Sequence, residues 1–406
     1  MIHKDKSLTI KEVAQFLNIS NQMVYNLIRD KKIEAFKIGS AIRILSSDLY
    51  AYIERQKELF HSPEESIENS DENIFLVKNI CFRREQFQLE NISFEIPRGK
   101  ILSVIGPSGS GKTMLLKSLA GLNKPEKGAI FLGSNRLDTI SPRERNIGFV
   151  FEDYALMPNR KGRGNIRFPL EMIKKLRKED IDPAVTALAE ELNLSDENLD
   201  TIISELPEGV KQMIAIAKAD IRNIDLLIMD EPLARLDAMV RLQMRSFLKE
   251  LVIKLGKTTI ISLHDPETAL AMSDYIAVLD KGRLVQFGSA QEVYKHPVSK
   301  IVFEMTSRYA INEVDIKVKD KKTYPFELET EKEDGDYRLI FRADELKISD
   351  RGMKLSINRK HILDGNRILA ECSSENDDLE LVLPSETEDE FRFLPTSFGL
   401  FYPENS

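Results

Sequence analysis

Apolar and polar positions along the chain change period several times, and each change predicts a different element. Around residues 8–17 the apolar positions Ile10, Val13, Ala14 and Leu17 fall on one helical face. Thr9 and Glu12 form a capping box before them, with Leu8 and Val13 placed as the hydrophobic staple. Ser20 then caps a second predicted helix over 21–30, which buries Val24, Leu27 and Ile28. Residues 35–44 alternate around a Gly-Ser turn and predict a hairpin, and Ser47 caps a third helix carrying Leu49, Tyr52 and Ile53. Residues 61–73 lack periodicity and are acidic, which predicts an extended linker. Strand patterns follow. Phe75–Val77 and Ile92–Phe94–Ile96 alternate like an antiparallel edge pair, whereas 101–105, 225–230 and 258–263 are apolar runs of buried-strand length. From about residue 306 alternation returns at 337–342, 379–383 and 390–393.

Candidate chemistry collects at the ends of the apolar runs. The run 101–105 enters Gly106-Pro-Ser108-Gly109-Ser110-Gly111-Lys112-Thr113, which opens an amphipathic helix. This is the spacing of a phosphate-binding loop. Glycines let backbone N–H groups close on phosphate oxygens, and the helix N-terminus adds its positive dipole end. In such a loop Lys112 reaches the β- and γ-phosphates and the Thr113 hydroxyl ligates Mg²⁺. The run 225–229 ends in Asp230 and Glu231, expected to hold Mg²⁺ and to polarise an attacking water. The run 258–263 ends in His264, expected to sense the γ-phosphate.

Composition narrows the class. The chain has 406 residues, enough for two to four domains, and is 31% charged and 42% hydrophobic, a globular balance. No apolar run is long enough to span a membrane, and the first residues lack a secretory signal. Two cysteines give neither a disulfide framework nor a metal pattern, so a cytoplasmic setting is expected. The net charge of −8 argues against wholesale nucleic-acid coating. Residues 1–59 differ, with ten lysines and arginines against seven acids, a net +3.

Taken together, these motifs resemble an ABC-type (ATP-binding-cassette) ATPase over 74–305, similar to the ATPase subunits of bacterial importers for sugars, polyamines, molybdate, sulfate and iron. Supporting stretches are 152–158, 165–170, 231–237, 264–270, 281–288 and 292–297. The resemblance implies a multidomain α/β protein: a P-loop core with a helical subdomain at about 155–212. It further implies ATP and Mg²⁺ as cofactors and a head-to-tail dimer. In such a dimer each ATP lies between one phosphate loop and the partner's signature helix, with Asp237 at the interface.

Three positions depart from that family. Its Leu-Ser-Gly-Gly-Gln signature is replaced by Leu206-Pro207-Glu208-Gly209-Val210, which removes a hydroxyl and an N–H and adds a carboxylate. We expect Glu208 to occupy the anion site and Pro207 to start the helix. Losing a transition-state donor costs about 10²–10³ in rate. The loop that normally carries glutamine has Glu152, still a candidate Mg²⁺ ligand. The aromatic expected over adenine falls near Phe82, with Arg83 beside it as a cation–π alternative. Tolerated drift and repurposing both accommodate these changes.

Residues 1–59 resemble an excisionase/MerR-like winged helix-turn-helix. By position, that resemblance implies DNA contacts from Asn21, Gln22, Tyr25, Asn26 and Arg29, with Lys37 and Arg43 on the wing. Residues 60–73 are the linker, and 306–406 resemble the TOBE-like, OB-like β-barrel of importer subunits. The leading expectation is an importer ATPase subunit, cytoplasmic or peripheral on the inner membrane face. Its expected partners are permease subunits, indirectly a solute-binding protein, and DNA. Alternatives are a soluble ATP-responsive transcription regulator or the degenerate half of a heterodimeric ATPase.

Overall fold

The computed structural model describes residues 7–17, 24–25, 27–28, 33–38, 41–49, 51–52, 74–84, 87–173, 176–374 and 377–401. It divides into two compact units, Met1–Ser70 and Asp71–Ser406.

In the first unit the helix Ile10–Leu17 starts with the expected capping box: Thr9 N donates to Glu12 Oε2 at 2.8 Å and Glu12 N donates to Thr9 Oγ1 at 3.2 Å. Val13, Ala14, Val24, Ile33, Ile44 and Leu49 form the small core, with Leu8, Leu27, Ile28 and Tyr52 packed on it. Strands Phe36–Ile38 and Ala41–Leu45 pair antiparallel as the wing. The short strand Ser7–Leu8 adds to that hairpin, a pairing that two residues are too few to announce by alternation.

The second unit is built on a ten-stranded sheet. Its order runs Asn135–Arg136, Lys127–Leu132, Ile74–Arg84, Phe87–Pro97, Arg283–Ser289, Tyr275–Asp280, Ile101–Ile105, Thr258–Ser262, Leu226–Asp230, Ile147–Val150. The last five strands are parallel. Ile101–Ile105, Leu226–Asp230 and Thr258–Ser262 are buried at every position, as strands covered on both faces require. The alternating pair 74–97 is antiparallel as predicted but is not an edge, because Lys127–Leu132 pairs against its outer side.

One core lies between this sheet and the helices Gly162–Glu171, Lys178–Glu191, Glu208–Asp220 and Ala238–Leu255; the other lies under the antiparallel strands and the helix Lys112–Leu119. Residues 311–401 form two four-stranded antiparallel sheets around a third core. Asn312 joins the two: its Nδ2 donates to Glu380 O at 2.8 Å and its Oδ1 accepts from Glu380 N at 2.9 Å. A single side-chain amide thus replaces one strand-to-strand rung.

Candidate functional site

Four neighbouring parallel strands point their C-terminal ends at one place, the position where open α/β sheets bind ligands. Ile101–Ile105 delivers Gly106, Thr258–Ser262 delivers His264, Leu226–Asp230 delivers Glu231 and Ile147–Val150 delivers Glu152. A cavity of about 580 Å³ lies there. Its walls include Ser108, Gly109, Gly111, Lys112, Thr113, Glu152, Glu231 and His264. Residues separated by more than 100 positions are brought together by strand order alone.

The phosphate loop closes on its own lysine. Lys112 is buried, and its Nζ donates to Gly106 O at 2.8 Å and Pro107 O at 3.2 Å. Burial lowers its pKa, opposed by the charges of Glu231 and Asp230. Gly111 has φ 108°, and a Cβ there would sit 2.6 Å from the Phe87 ring. Only glycine meets both conditions. Ser110 is buried with its hydroxyl unpartnered and does not line the cavity.

Behind the loop runs a polar chain. Thr113 Oγ1 donates to Asp230 Oδ1 at 3.1 Å, Ser262 Oγ donates to the same oxygen at 2.8 Å, and Glu231 N donates to Ser262 Oγ at 2.8 Å. His264 Nε2 lies 2.5 Å from Glu231 Oε1. Glu231 has φ 48°, a left-handed backbone that non-glycine residues keep where surrounding structure imposes it, commonly at functional sites. Its pKa is raised, chiefly by burial, against the opposing pull of His264 and Lys112. The Thr113 hydroxyl beside the Asp230 carboxylate is a set of hard oxygen donors that suits Mg²⁺.

The base end differs from expectation. Phe82 is buried in the core, register-paired with Leu89, so its ring is not available to a ligand, and Arg83 does not line the cavity. The strand's alternation decides this, since Ile80 and Phe82 share the buried face. Arg84 and Phe87, across the hairpin's turn, line the cavity instead, with Met114, Lys117 and Asn123. Ser262 was also missed, although its position two residues before His264 in a strand was available as a signal.

Pro207, expected to start the signature helix, is instead its N-cap in extended backbone, with φ −60° and ψ 151°, and the helix Glu208–Asp220 begins one residue later. Glu208 pairs with Lys211 Nζ at 2.8 Å. Tyr154 is buried with its hydroxyl beside Glu208; burial and that negative charge push it up to about 12. Arg235 lies 5.9 Å over the Tyr154 ring, and Lys218 Nζ donates to Ala155 O at 2.6 Å. Gly209 stands nearby, and Asp237 caps Ala238–Leu255 by accepting from Met239 N at 3.1 Å and Val240 N at 3.0 Å.

In the first unit Tyr25 and Lys37 are exposed and Arg43 is half-buried, its guanidinium donating to Ile42 O at 3.0 Å. Asn21, Gln22, Asn26 and Arg29, and the linker 60–73, lie outside the described residues.

The fold and site define a P-loop nucleotide-binding protein. Residues 89–234 match the family model described as ABC transporter, and residues 7–57 match one described as a helix-turn-helix domain. The trehalose/maltose import ATP-binding protein MalK of Thermococcus litoralis is 35% identical over 266 residues, covering 64% of this chain and 69% of that protein. A probable sulfate/thiosulfate import ATP-binding protein CysA of Chlorella vulgaris is 38% identical, covering 56% of this chain and 96% of its own length. The chain belongs to the ABC transporter ATP-binding family. It spans little more than half of some curated relatives, such as 57% of the Fe(3+) ions import ATP-binding protein FbpC of Fusobacterium nucleatum. Among solved structures, cbiO1 from Clostridium perfringens, part of the ABC transporter complex cbiONQ, is 27% identical with a TM-score of 0.50, covering 56% of this chain and 92% of that one.

Proposed function

We propose that this chain binds MgATP and hydrolyses it slowly, as the ATP-binding subunit of an importer acting on a membrane permease from the cytoplasmic face. The observation that carries the reading is the continuous chain Thr113–Asp230–Ser262–Glu231–His264 beside a buried Lys112. Thr113 and Asp230 would hold Mg²⁺, which neutralises phosphate charge when bound. Lys112 would orient the β- and γ-phosphates. Glu231 would accept a proton from water, with His264 fixing its carboxylate. Phe87 would stack on the base, with Arg84 at its edge. Relatives described as import ATP-binding proteins support the transport role. Among the described residues no helix is long and apolar enough to cross a membrane, so a permease would have to be a separate chain or segment.

Slow turnover follows from Pro207 and Glu208. Pro207 offers neither the hydroxyl nor the N–H that would meet a phosphate across a dimer, and Glu208, paired with Lys211, adds a carboxylate there. This favours, as a second reading, a heterodimer in which another chain supplies an intact signature to this chain's phosphate loop. The helix-turn-helix match supports a DNA-binding N-terminal module. Equilibrium titration of the purified chain with MgATP tests the core proposal. Micromolar binding abolished by Lys112→Ala is expected, and equal binding by both proteins refutes it.

A further inference from the structure

Glu152 stands between two chambers. It lines the main cavity with Lys112, Glu231 and His264. It also lines an adjoining one of about 280 Å³ with Thr113, Lys117, Asp153, Asp230 and Arg235. Its carboxylate is exposed, makes no ion pair among the described residues, and is close enough to Glu231 to help raise that group's pKa. The two chambers are therefore lined by four carboxylates: Glu152, Asp153, Asp230 and Glu231. The loop's own cation is the single Lys112, with Nζ committed to two backbone carbonyls. Lys117 lines both chambers, Arg84 the main one and Arg235 the side one, where its guanidinium lies over the Tyr154 ring.

We infer that Glu152 makes this site selective for the metal complex of a nucleoside triphosphate over the free, metal-less nucleotide. The inference rests on the MgATP reading and sharpens it. Without a divalent cation, the terminal phosphate meets an unpaired carboxylate, and like charges at short range repel strongly where solvent is partly excluded. With the cation, the same carboxylate adds a third hard oxygen to Thr113 and Asp230, and the repulsion becomes attraction. A neutral amide at 152 would bring a weaker donor and no charge, so metal dependence would be shallower. The side chain is exposed, so its replacement leaves the fold intact.

The test is isothermal titration of the full chain with adenylyl-imidodiphosphate, once in Mg²⁺ and once in EDTA, for wild type, Glu152→Gln and Glu152→Ala, with melting temperatures as fold controls. The wild type is expected to bind the Mg²⁺ form far more tightly. Both variants are expected to bind the metal-free nucleotide about tenfold or more tightly than wild type, narrowing the ratio of the two dissociation constants. A ratio unchanged in Glu152→Gln overturns this inference and leaves the nucleotide site standing. A gain in Glu152→Ala alone overturns it too, because that outcome reports size rather than charge. No binding by wild type in either buffer removes the nucleotide reading itself.

Discussion

Glu231 is buried enough for its pKa to be raised above the ordinary value of 4.5, yet it stands 2.5 Å from His264 and must be ionised to accept a proton. Turnover should therefore fall on the acid side through a pKa above 4.5, and the pH–rate profile of kcat measures it. The stability sign is opposite. The folded state binds that proton more tightly than the unfolded chain, so this group's contribution rises as pH falls through the raised value. Glu231→Gln removes the buried charge, and its melting temperature at pH 8 should exceed that of wild type while turnover falls about 10²-fold or more. Both carboxylates and His264 were legible in the sequence because each ends an apolar strand. Phe87 and Arg84 were not, because which strand face a residue occupies depends on register across the hairpin, and register is a tertiary property.

At the scale of elements, one helix start and one buried strand residue carry the argument. The helix Glu208–Asp220 has no side-chain cap at Pro207, so its first turn leans on Glu208, whose carboxylate suits the positive helix end and pairs with Lys211. Glu208→Gly should cost about 0.5–1 kcal/mol in urea melts, even where it improves the site. The second case is Arg342, 1% exposed, which holds the C-terminal sheets to the ATPase core. Its guanidinium donates to Ser307 Oγ, Glu345 Oε2, Tyr294 O and Thr306 Oγ1, and stacks 3.9 Å from the Tyr294 ring centroid. Tyr294 Oη in turn donates to Glu345 Oε1 at 2.6 Å, and burial with that carboxylate raises its pKa. Arg342→Met strands these acceptors and should cost about 3–5 kcal/mol, read from the same melts. The start of the helix Ile10–Leu17 and the wing were readable from a capping box and alternation. Ser47, expected to cap the third helix, instead lies inside it, because Ser46 is already helical. The Asn312 bridge and the Arg342 dock were not readable, since each joins residues far apart in sequence through side chains whose partners no local pattern names.

For the whole molecule, the chain divides into two compact units, Met1–Ser70 and Asp71–Ser406. Nucleotide affinity should belong to the second unit, so a chain lacking 1–70 should bind MgATP within about twofold of the full chain by the same titration. The full chain on duplex DNA should show binding that weakens steeply with salt, the mark of phosphate contacts by a basic module. The order of the strands was not legible: periodicity gave strands without neighbours, and the resemblance implied a P-loop core without their order.

The central claim is that this chain keeps the nucleotide-holding half of an ABC site and has lost the donors of its signature. Steady-state turnover at saturating MgATP, compared between the full chain and its Pro207→Ser/Glu208→Gly variant, tests that most directly. The account predicts wild-type turnover at least about tenfold below the variant's, since a missing transition-state donor costs about 10²–10³ where fully expressed. Equal and rapid turnover by both proteins would contradict it.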